Sequence, residues 1–341
     1  MTQLSRHLPR PLLVRYDELC PCRNAFIDSR TPGSEKKENF TIIGPGVAEN
    51  PDQYVHIRQP HGFNIGGARQ PPRCVNSQHS HETAEVFIVQ SGRWAFRSGE
   101  RGQDGEILLG PGDVISLPTE MFRGFENVGD DEGFVFAVLG GDDPGRVTWA
   151  PYVFETAQHF GLVLLEGGRL VDTTLGETVP EGARTMPQTT PADVERMKRF
   201  TSNDLLTVVE LAVEMRPVDG SALCGRATGR VEEDPIIGGA STAEGLPRGK
   251  MAWSHGFHLR RLVLESRAAI PSHARGEEEV LLMHRGTLRF ERDGETIDLR
   301  AGDVLSVPIG STRRYVNPSA ERAVAYVVRG GDHPAAPHWS D

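Results

Sequence analysis

The chain has 341 residues, which is enough for two domains of ordinary size. Its 47 acidic and 37 basic residues give a net charge of −10, which argues against nucleic acid or an anionic membrane surface as a partner. No stretch approaches the roughly 18 apolar residues of a membrane helix, and residues 1–20 lack the apolar core of a signal peptide. We therefore expect a globular cytoplasmic protein.

The sequence contains an internal repeat. Matched positions lie 194 residues apart up to Gly92, and 190 residues apart from Gly112 onward. One loop between these glycines is therefore four residues shorter in the second copy, which is a change that surface loops tolerate. The clearest matched segments are 61–63 with 255–257, 110–127 with 299–317, and 136–151 with 326–341.

Each copy is predicted to consist of short β-strands. Apolar residues alternate with polar ones in runs of five to eight residues, and glycine, proline and aspartate separate the runs. Asp293 and Gly294 lie between two such runs and predict a two-residue hairpin turn. Many short strands at this spacing indicate a β-sandwich or a β-barrel in each copy.

The connecting region has a different character. Residues 189–200 are typical of a helix start, with Thr190 as the N-cap and Pro191 at the first helical position. The alternation in residues 208–218 predicts a further strand. The predicted segments are an N-terminal arm (1–54), a first barrel (55–155), a short helical or irregular linker with packing segments (156–250) and a second barrel (251–341).

Three residues of the first copy suggest a metal site. His79 and His81 alternate along one predicted strand, so their side chains point to the same side. Glu85 lies on the inward side of the next strand, where an isolated carboxylate is unfavourable unless it is paired or bound to metal. Two imidazoles and one carboxylate suit Fe(II), and also Mn(II) or another divalent ion. Two alternatives remain: Glu82 is the carboxylate ligand, or the histidines form a polar cluster without a metal.

The spacing of these residues resembles the two motifs of the cupin superfamily, G-x5-H-x-H-x3,4-E-x6-G and G-x5-P-x-G-x2-H-x3-N. The first copy matches from the first histidine onward, and the second copy keeps most of the pattern. The matching residues are His79, His81, Glu85, Gly92, Gly112, Pro118 and Asn127 in the first copy, and His273, Glu279, Gly286, Gly302, Pro308, Gly310 and Asn317 in the second. The resemblance implies an all-β bicupin with two jelly-roll barrels in tandem, as in gentisate-type dioxygenases and oxalate decarboxylases.

Arginine replaces the motif-two histidine in both copies. At a distance of about 6 Å and an effective dielectric constant near 20, Arg123 would repel a divalent ion by roughly 6 kcal/mol. Three arrangements would relieve this repulsion. Arg123 points away, or it pairs with Glu85 and weakens the metal site, or it binds an anionic substrate that also touches the metal. We adopt the third arrangement as the functional hypothesis.

The second copy carries two such replacements. Arg275 stands at the second histidine position and Arg313 at the motif-two position, beside His273 and Glu279. A positive side chain therefore lies where a metal charge would otherwise be. The sequence predicts either a buried ion pair in a structural barrel or a pocket for an anion.

The resemblance implies an Fe(II) dioxygenase that acts with O2 on a small phenolic or carboxylate substrate and forms a dimer or larger homo-oligomer. Two alternatives stay open. One is a non-oxidative metal-dependent isomerase, decarboxylase or hydrolase. The other is a bicupin that binds a small molecule without turnover.

Overall fold

The structure is a computed structural model that describes residues 10–333 and 335–340. The chain divides into two compact units, Cys20–Glu214 and the described residues of 1–19 with 215–341. Each unit contains one copy of the repeat, and we call them the first and the second domain. Residues 1–9 of the predicted arm lie outside the described residues.

Strands dominate the described chain. Up to residue 214 they are β1 Leu12–Val14, β2 Glu38–Ile43, β3 Val55–Ile57, β4 Phe63–Gln70, β5 Val75–His81, β6 Glu85–Ser91, β7 Trp94–Ser98, β8 Gly105–Leu109, β9 Val114–Leu117, β10 Arg123–Asn127, β11 Gly133–Gly140, β12 Val147–Trp149, β13 Leu162–Leu164, β14 Leu170–Asp172 and β15 Val209–Glu210. Beyond it they are β16 Val231–Ile237, β17 Phe257–Leu264, β18 Ala269–Ala274, β19 Glu279–Arg285, β20 Thr287–Arg292, β21 Glu295–Arg300, β22 Val304–Val307, β23 Arg313–Val316, β24 Ala323–Gly330 and β25 His338–Trp339.

Helices are short. The α-helices are α1 Pro151–His159, α2 Pro191–Arg196 and α3 Ser202–Thr207, and single 3-10 turns occur at Tyr16–Glu18, Thr173–Leu175 and Cys224–Arg226. Within residues 10–333 and 335–340, no helix has the length and apolar character needed to cross a membrane.

The two domains share one sheet arrangement. The first domain has a seven-stranded sheet in the order β15-β9-β6-β11-β4-β2-β3, a five-stranded sheet in the order β12-β5-β10-β7-β8, and the hairpin β13-β14. The second domain has a six-stranded sheet in the order β1-β22-β19-β24-β17-β16 and a five-stranded sheet in the order β21-β20-β23-β18-β25. All pairs are antiparallel except β2 with β3.

Each domain buries one apolar core between its two sheets. In the first domain, Phe87 and Val89 of the larger sheet meet Phe96 and Phe125 of the smaller one. The second domain packs Leu281 against a matching set from β20 and β23. Burying one side chain of this kind contributes about 1.5–3 kcal/mol, so the inward alternation of apolar residues holds the sheets together. The prediction of an all-β chain with two jelly-roll domains is confirmed.

Local sequence signals have mixed outcomes. Thr190 and Asp193 form a reciprocal capping box at the start of α2, as predicted. The helix ends at Arg196, because Met197 is already extended. Asp293 and Gly294 have φ of 47° and 83° and form the predicted turn between β20 and β21.

The strand predicted over residues 208–218 is wrong beyond its start. Val209 and Glu210 form β15 and pair with β9, and Val218 forms an isolated antiparallel bridge with Glu233. Between them the chain turns, because the backbone N–H of Ala212 donates to Asp113 Oδ1 at 2.8 Å and that of Glu214 donates to the carbonyl of Leu211 at 2.9 Å. Residues 211–217 therefore keep the alternating pattern without forming a strand.

The predicted domain boundaries stay a prediction, but the structure adds one strand to each repeat. Strand β2 pairs with β4 in the first domain, and β16 pairs with β17 in the second. Asn39 of β2 and Glu233 of β16 are also 194 residues apart, so the repeat extends into the predicted arm and linker.

A substitution at Gly286 tests the crossover between the two sheets of the second domain. Gly286 lies between β19 and β20 with φ of 77°, and an added Cβ would lie 2.4 Å from the carbonyl oxygen of Arg322. Gly286→Ala should lower the free energy of unfolding by about 2–3 kcal/mol, from backbone strain together with overpacking. Gly276→Ala is the matched control, because a Cβ there meets nothing within 4 Å. Equal effects in urea denaturation would contradict this account.

Candidate metal site

The first-domain site begins on the five-stranded sheet. His79 of β5 lies opposite Arg123 of β10 on one side and Trp149 of β12 on the other. His81 follows two residues later on the same face, and the two imidazole centroids are 4.9 Å apart. Strand pairing therefore places His79 beside Arg123, and the register shifts between Arg123 and Phe125.

Glu85 reaches the histidines from the opposite sheet. It is the first residue of β6, and its Oε2 lies 3.3 Å from His81 Nε2 and 3.9 Å from His79 Nε2. All three side chains are buried, with 3–6% exposure. Their ligand atoms lie within 4.8 Å of one another, so the structure brings the predicted triad together.

Hydrogen bonds orient His79. Its Nδ1 lies 2.7 Å from the carbonyl oxygen of Ser77 and can donate to it, which leaves the lone pair of Nε2 directed toward Glu85. The backbone N–H of Ser77 in turn donates to Asp28 Oδ2 at 3.0 Å. Asp28 is fully buried and forms an ion pair with the equally buried Lys37. The arm thus supports the strand that carries the histidine.

A second arm residue lies behind the site. Glu49 accepts hydrogen bonds from Trp149 Nε1 at 2.7 Å and from the backbone N–H of Ile27 at 2.8 Å. Burial raises the pKa of Glu49 to about 8. Sequence reasoning missed Asp28, Lys37 and Glu49, because nothing in the local pattern of residues 1–54 distinguishes them from other polar residues of the arm.

The charge states of the triad follow from burial and from Arg123. Burial lowers the pKa of both His79 and His81, and the neighbouring guanidinium lowers it further, so both imidazoles are neutral at pH 7. Burial alone would raise the pKa of Glu85, but His81 and Arg123 outweigh it and hold the pKa at about 2. The site therefore offers two neutral imidazoles and one carboxylate.

Arg123 adopts the pairing arrangement among the three that the sequence left open. It is fully buried, and its Nη2 lies 3.3 Å from Glu85 Oε2. Its Nη1 lies 3.4 Å from the carbonyl oxygen of Met121. Arg123 does not line the adjoining cavity, and it contacts the same oxygen of Glu85 that faces the two histidines. The substrate-binding role stays a prediction.

A cavity of about 70 Å³ adjoins the triad. Apolar side chains make up most of its wall, and His79, His81 and Glu85 contribute to it. A water molecule occupies about 30 Å³ in the liquid, so the space suits a small molecule. Glu82 is not part of the triad, and its carboxylate lies against Gly145 instead.

The triad fits a divalent metal. Metal–nitrogen and metal–oxygen bonds of about 2.0–2.2 Å allow two ligand atoms of one ion to be up to roughly 4.3 Å apart. The separations of 3.3 and 3.9 Å from Glu85 satisfy this limit. His81 Nδ1 is buried without a hydrogen-bond partner, which is consistent with a side chain placed for its Nε2 contact. The charge of Arg123 opposes a cation here.

The second domain repeats the strand pairing around the site, but it carries different side chains at the matched positions. His273 lies opposite Arg313 and Trp339, as His79 lies opposite its own neighbours. Four inward positions of the second domain carry a polar or charged residue that differs from its first-domain counterpart. The replacements are Gly66 to Arg260, His81 to Arg275, Phe125 to Tyr315 and Leu139 to Arg329.

Glu279 is therefore paired with protein groups. Arg313 Nη1 donates to its Oε1 at 2.9 Å, the Tyr315 hydroxyl donates to the same oxygen at 2.8 Å, and Arg275 Nε lies 3.5 Å from Oε2. Burial opposes ionisation of Glu279, but the arginines lower its pKa well below the usual range. Of the two alternatives for this copy, the geometry favours the buried ion pair.

The ion pair belongs to a larger buried cluster, which we call the arginine–glutamate cluster. Its members are Arg260, Arg275, Arg313, Arg329, Glu233, Glu244, Glu277 and Glu279. Four positive and four negative charges balance. Buried Arg260 and Arg329 stand at the positions of Gly66 and Leu139, which line the first-domain cavity, so these arginines occupy space that the first domain leaves open.

Glu244 is the centre of this cluster. It lies within 2.7–3.0 Å of Arg260, Arg275 and Arg329. It comes from the irregular loop before the second repeat, where sequence reasoning assigned no functional residue. Burial would raise its pKa, but the three arginines hold the pKa at about 2.

Comparisons with known proteins bear on both domains. The cupin domain family matches residues 68–139 and 260–329. The chain therefore contains two cupin domains, the arrangement called a bicupin. A germin-like protein of Arabidopsis thaliana, subfamily 1 member 7, is 30% identical over 142 residues, which cover 37% of this chain and 62% of that protein. The bicupin thus spans about three fifths of the length of that relative.

Solved structures share the whole fold. Lactobacillus farciminis oxalate decarboxylase, in a formate complex, superposes with a TM-score of 0.58 at 12% identity, covering 97% of this bicupin and 89% of that chain. The W96F variant of Bacillus subtilis oxalate decarboxylase gives a TM-score of 0.54 at 14% identity, covering 95% and 78%. At these identities the similarity concerns the fold.

Removing the charge of Glu244 tests the arginine–glutamate cluster. Glu244→Gln should destabilise the second domain by about 3–5 kcal/mol, because three buried arginines lose a shared partner. The depressed pKa means that the wild-type contribution is complete above pH 4.5 and is lost as the pH falls toward about 2. The difference between the two proteins in urea denaturation should therefore shrink with acidification.

Glu265→Gln is the control for this substitution. Glu265 pairs with Arg322 at the surface, with 31% and 55% of the two side chains exposed. An exposed pair contributes about 0–1 kcal/mol. A Glu244→Gln effect no larger than this would show that the cluster has little influence on stability.

Proposed function

We propose that this bicupin is a metal-dependent enzyme that acts on a small molecule in the first-domain cavity. One observation carries the proposal: His79, His81 and Glu85 direct their ligand atoms to one point in the wall of a cavity lined mainly by apolar side chains. Small, mostly apolar pockets with a few convergent polar groups are the usual setting of active sites.

The triad would hold a divalent metal, and Fe(II) suits two imidazoles and one carboxylate best, with Mn(II) as the next choice. When bound, the metal supplies a Lewis acid and, as Fe(II), the redox chemistry needed to use O2. The apolar wall would exclude water and orient the substrate. A small phenol or carboxylate with O2 as co-substrate is the proposed reactant pair, and the reaction is a dioxygenation.

A non-oxidative reaction is the second candidate. The fold similarity to oxalate decarboxylases along almost the whole chain favours it. The same triad and cavity would serve, with the metal as a Lewis acid only.

Arg123 is proposed to pair with Glu85 and to compete with the metal for this carboxylate. The guanidinium contacts Glu85 Oε2 at 3.3 Å and does not line the cavity. The earlier hypothesis of a substrate clamp makes a different prediction for Arg123 variants, namely weaker substrate binding with unchanged metal binding.

Metal titration of purified protein tests this proposal. Wild-type protein loaded anaerobically with Fe(II) should retain about one ion per chain, and His81→Ala should retain almost none. Arg123→Gln should bind the metal more tightly than wild type, since the substitution removes a cation that repels the ion by several kcal/mol.

Reversal of these results would contradict the proposal. Equal metal content in wild type and His81→Ala would exclude the triad, and weaker metal binding by Arg123→Gln would show that the guanidinium supports the ion. Measurement of O2 uptake during substrate turnover by the Fe(II)-loaded protein separates the two reactions. Dioxygenation consumes O2, and the non-oxidative reaction does not.

A further inference from the structure

We propose that the first-domain cavity selects a substrate with one anionic, metal-binding oxygen group on a short apolar body, and disfavours a compact dianion such as oxalate. This inference rests on the proposed function, because the oxygen group would bind at the triad. It follows from the wall of the cavity and from the contrast with the second domain.

The cavity exists because small residues lie on the inward face of the seven-stranded sheet. Gly66 and Ala137 are cross-strand partners on β4 and β11, and both line the space. At the matched pair in the second domain, Arg260 lies opposite Val327. The same backbone register therefore leaves room in the first domain and fills it in the second.

The wall beside the triad is apolar. Leu139 is the cross-strand partner of Glu85, and Phe87, Phe125 and Trp149 face the same space. The position of Leu139 is held by Arg329 in the second domain, where it binds acidic partners. An apolar body placed against Leu139 would gain the free energy of burial, whereas an anionic group there would lose its hydration.

No lysine or arginine lines this cavity within the described chain, and the guanidinium of Arg123 is engaged by Glu85 Oε2 at 3.3 Å. Asn39 Nδ2 is a buried donor without a partner, and Asn39 lines the space. One neutral amide cannot offset the charge of a second carboxylate in an apolar surrounding. The neighbouring polar side chains are engaged, since Thr41 donates to Gln53 and Asn76 accepts from Lys37.

Calorimetric titration of the Mn(II)-loaded full-length protein tests the selection. The probes are pyruvate, 2-oxobutanoate and 3-methyl-2-oxobutanoate, which share one charge and one metal-binding end and add one carbon at each step. We expect the affinity to rise by about fourfold for each added carbon that is buried. Oxalate has the same number of non-hydrogen atoms as pyruvate. The ratio of the oxalate affinity to the pyruvate affinity should be at least tenfold smaller for the Mn(II)-loaded protein than for hydrated Mn(II).

Two variants place the effect in the cavity. Ala137→Val introduces the residue found at the matched position of the second domain, and it should abolish the gain along the series while pyruvate still binds within about threefold. Val327→Ala is the mirror change in the second domain, and it should leave the series unchanged.

The outcomes separate the two proposals. Wild-type protein that retains no Mn(II) overturns both. Retained Mn(II) with a flat or falling series, or with the full aqueous preference for oxalate, overturns the substrate inference alone. The inference would also be overturned if Val327→Ala changed the affinities along the series and Ala137→Val left them unchanged. The probes would then bind in the second domain.

Discussion

The burial of one glutamate between two sheets is the constraint on which both domains depend. Glu85 and Glu279 occupy the first position of equivalent strands, and each has at most 6% exposure. A carboxylate in such a place is unfavourable without a positive or hydrogen-bonded partner. The first domain provides neutral imidazoles and one arginine, and the second provides two arginines and a tyrosine. We propose that this difference decides which domain can accept a cation.

In the second domain, the charged side chains of the arginine–glutamate cluster fill the space that forms a cavity in the first domain. Replacing a whole buried ion-pair network by apolar residues is often neutral or stabilising, so its presence is weak evidence for added stability. Its geometry does show why only the first domain has an open cavity at these positions, because Arg260 and Arg329 occupy the positions of Gly66 and Leu139. The two domains thus share one strand register, and the space between the sheets is open in the first domain and filled by side chains in the second.

Much of this could be predicted from the sequence. The constant offset of the repeat identified the paired domains, and the alternation of His79 and His81 with the spacing to Glu85 located the triad. Such signals work because strand geometry has a fixed period and the motif lies on adjacent strands. The capping box of α2 and the Asp293–Gly294 turn are equally local.

The remaining features depend on distant contacts. The partner of Arg123 was left open because its rotamer is decided by the facing sheet. Glu244 and Asp28 reach their sites from irregular segments, and no periodicity marks a loop residue that ends near a buried charge. The strand pattern near residue 211 failed for the same reason, since a tertiary hydrogen bond to Asp113 turns the chain.

The most direct test of the central claim is an anomalous difference map from crystals grown with Mn(II). The account predicts one strong peak per chain, within bonding distance of His79 Nε2, His81 Nε2 and Glu85, and none beside Glu279. A peak beside Glu279, or no peak at Glu85 at saturating Mn(II), would contradict it.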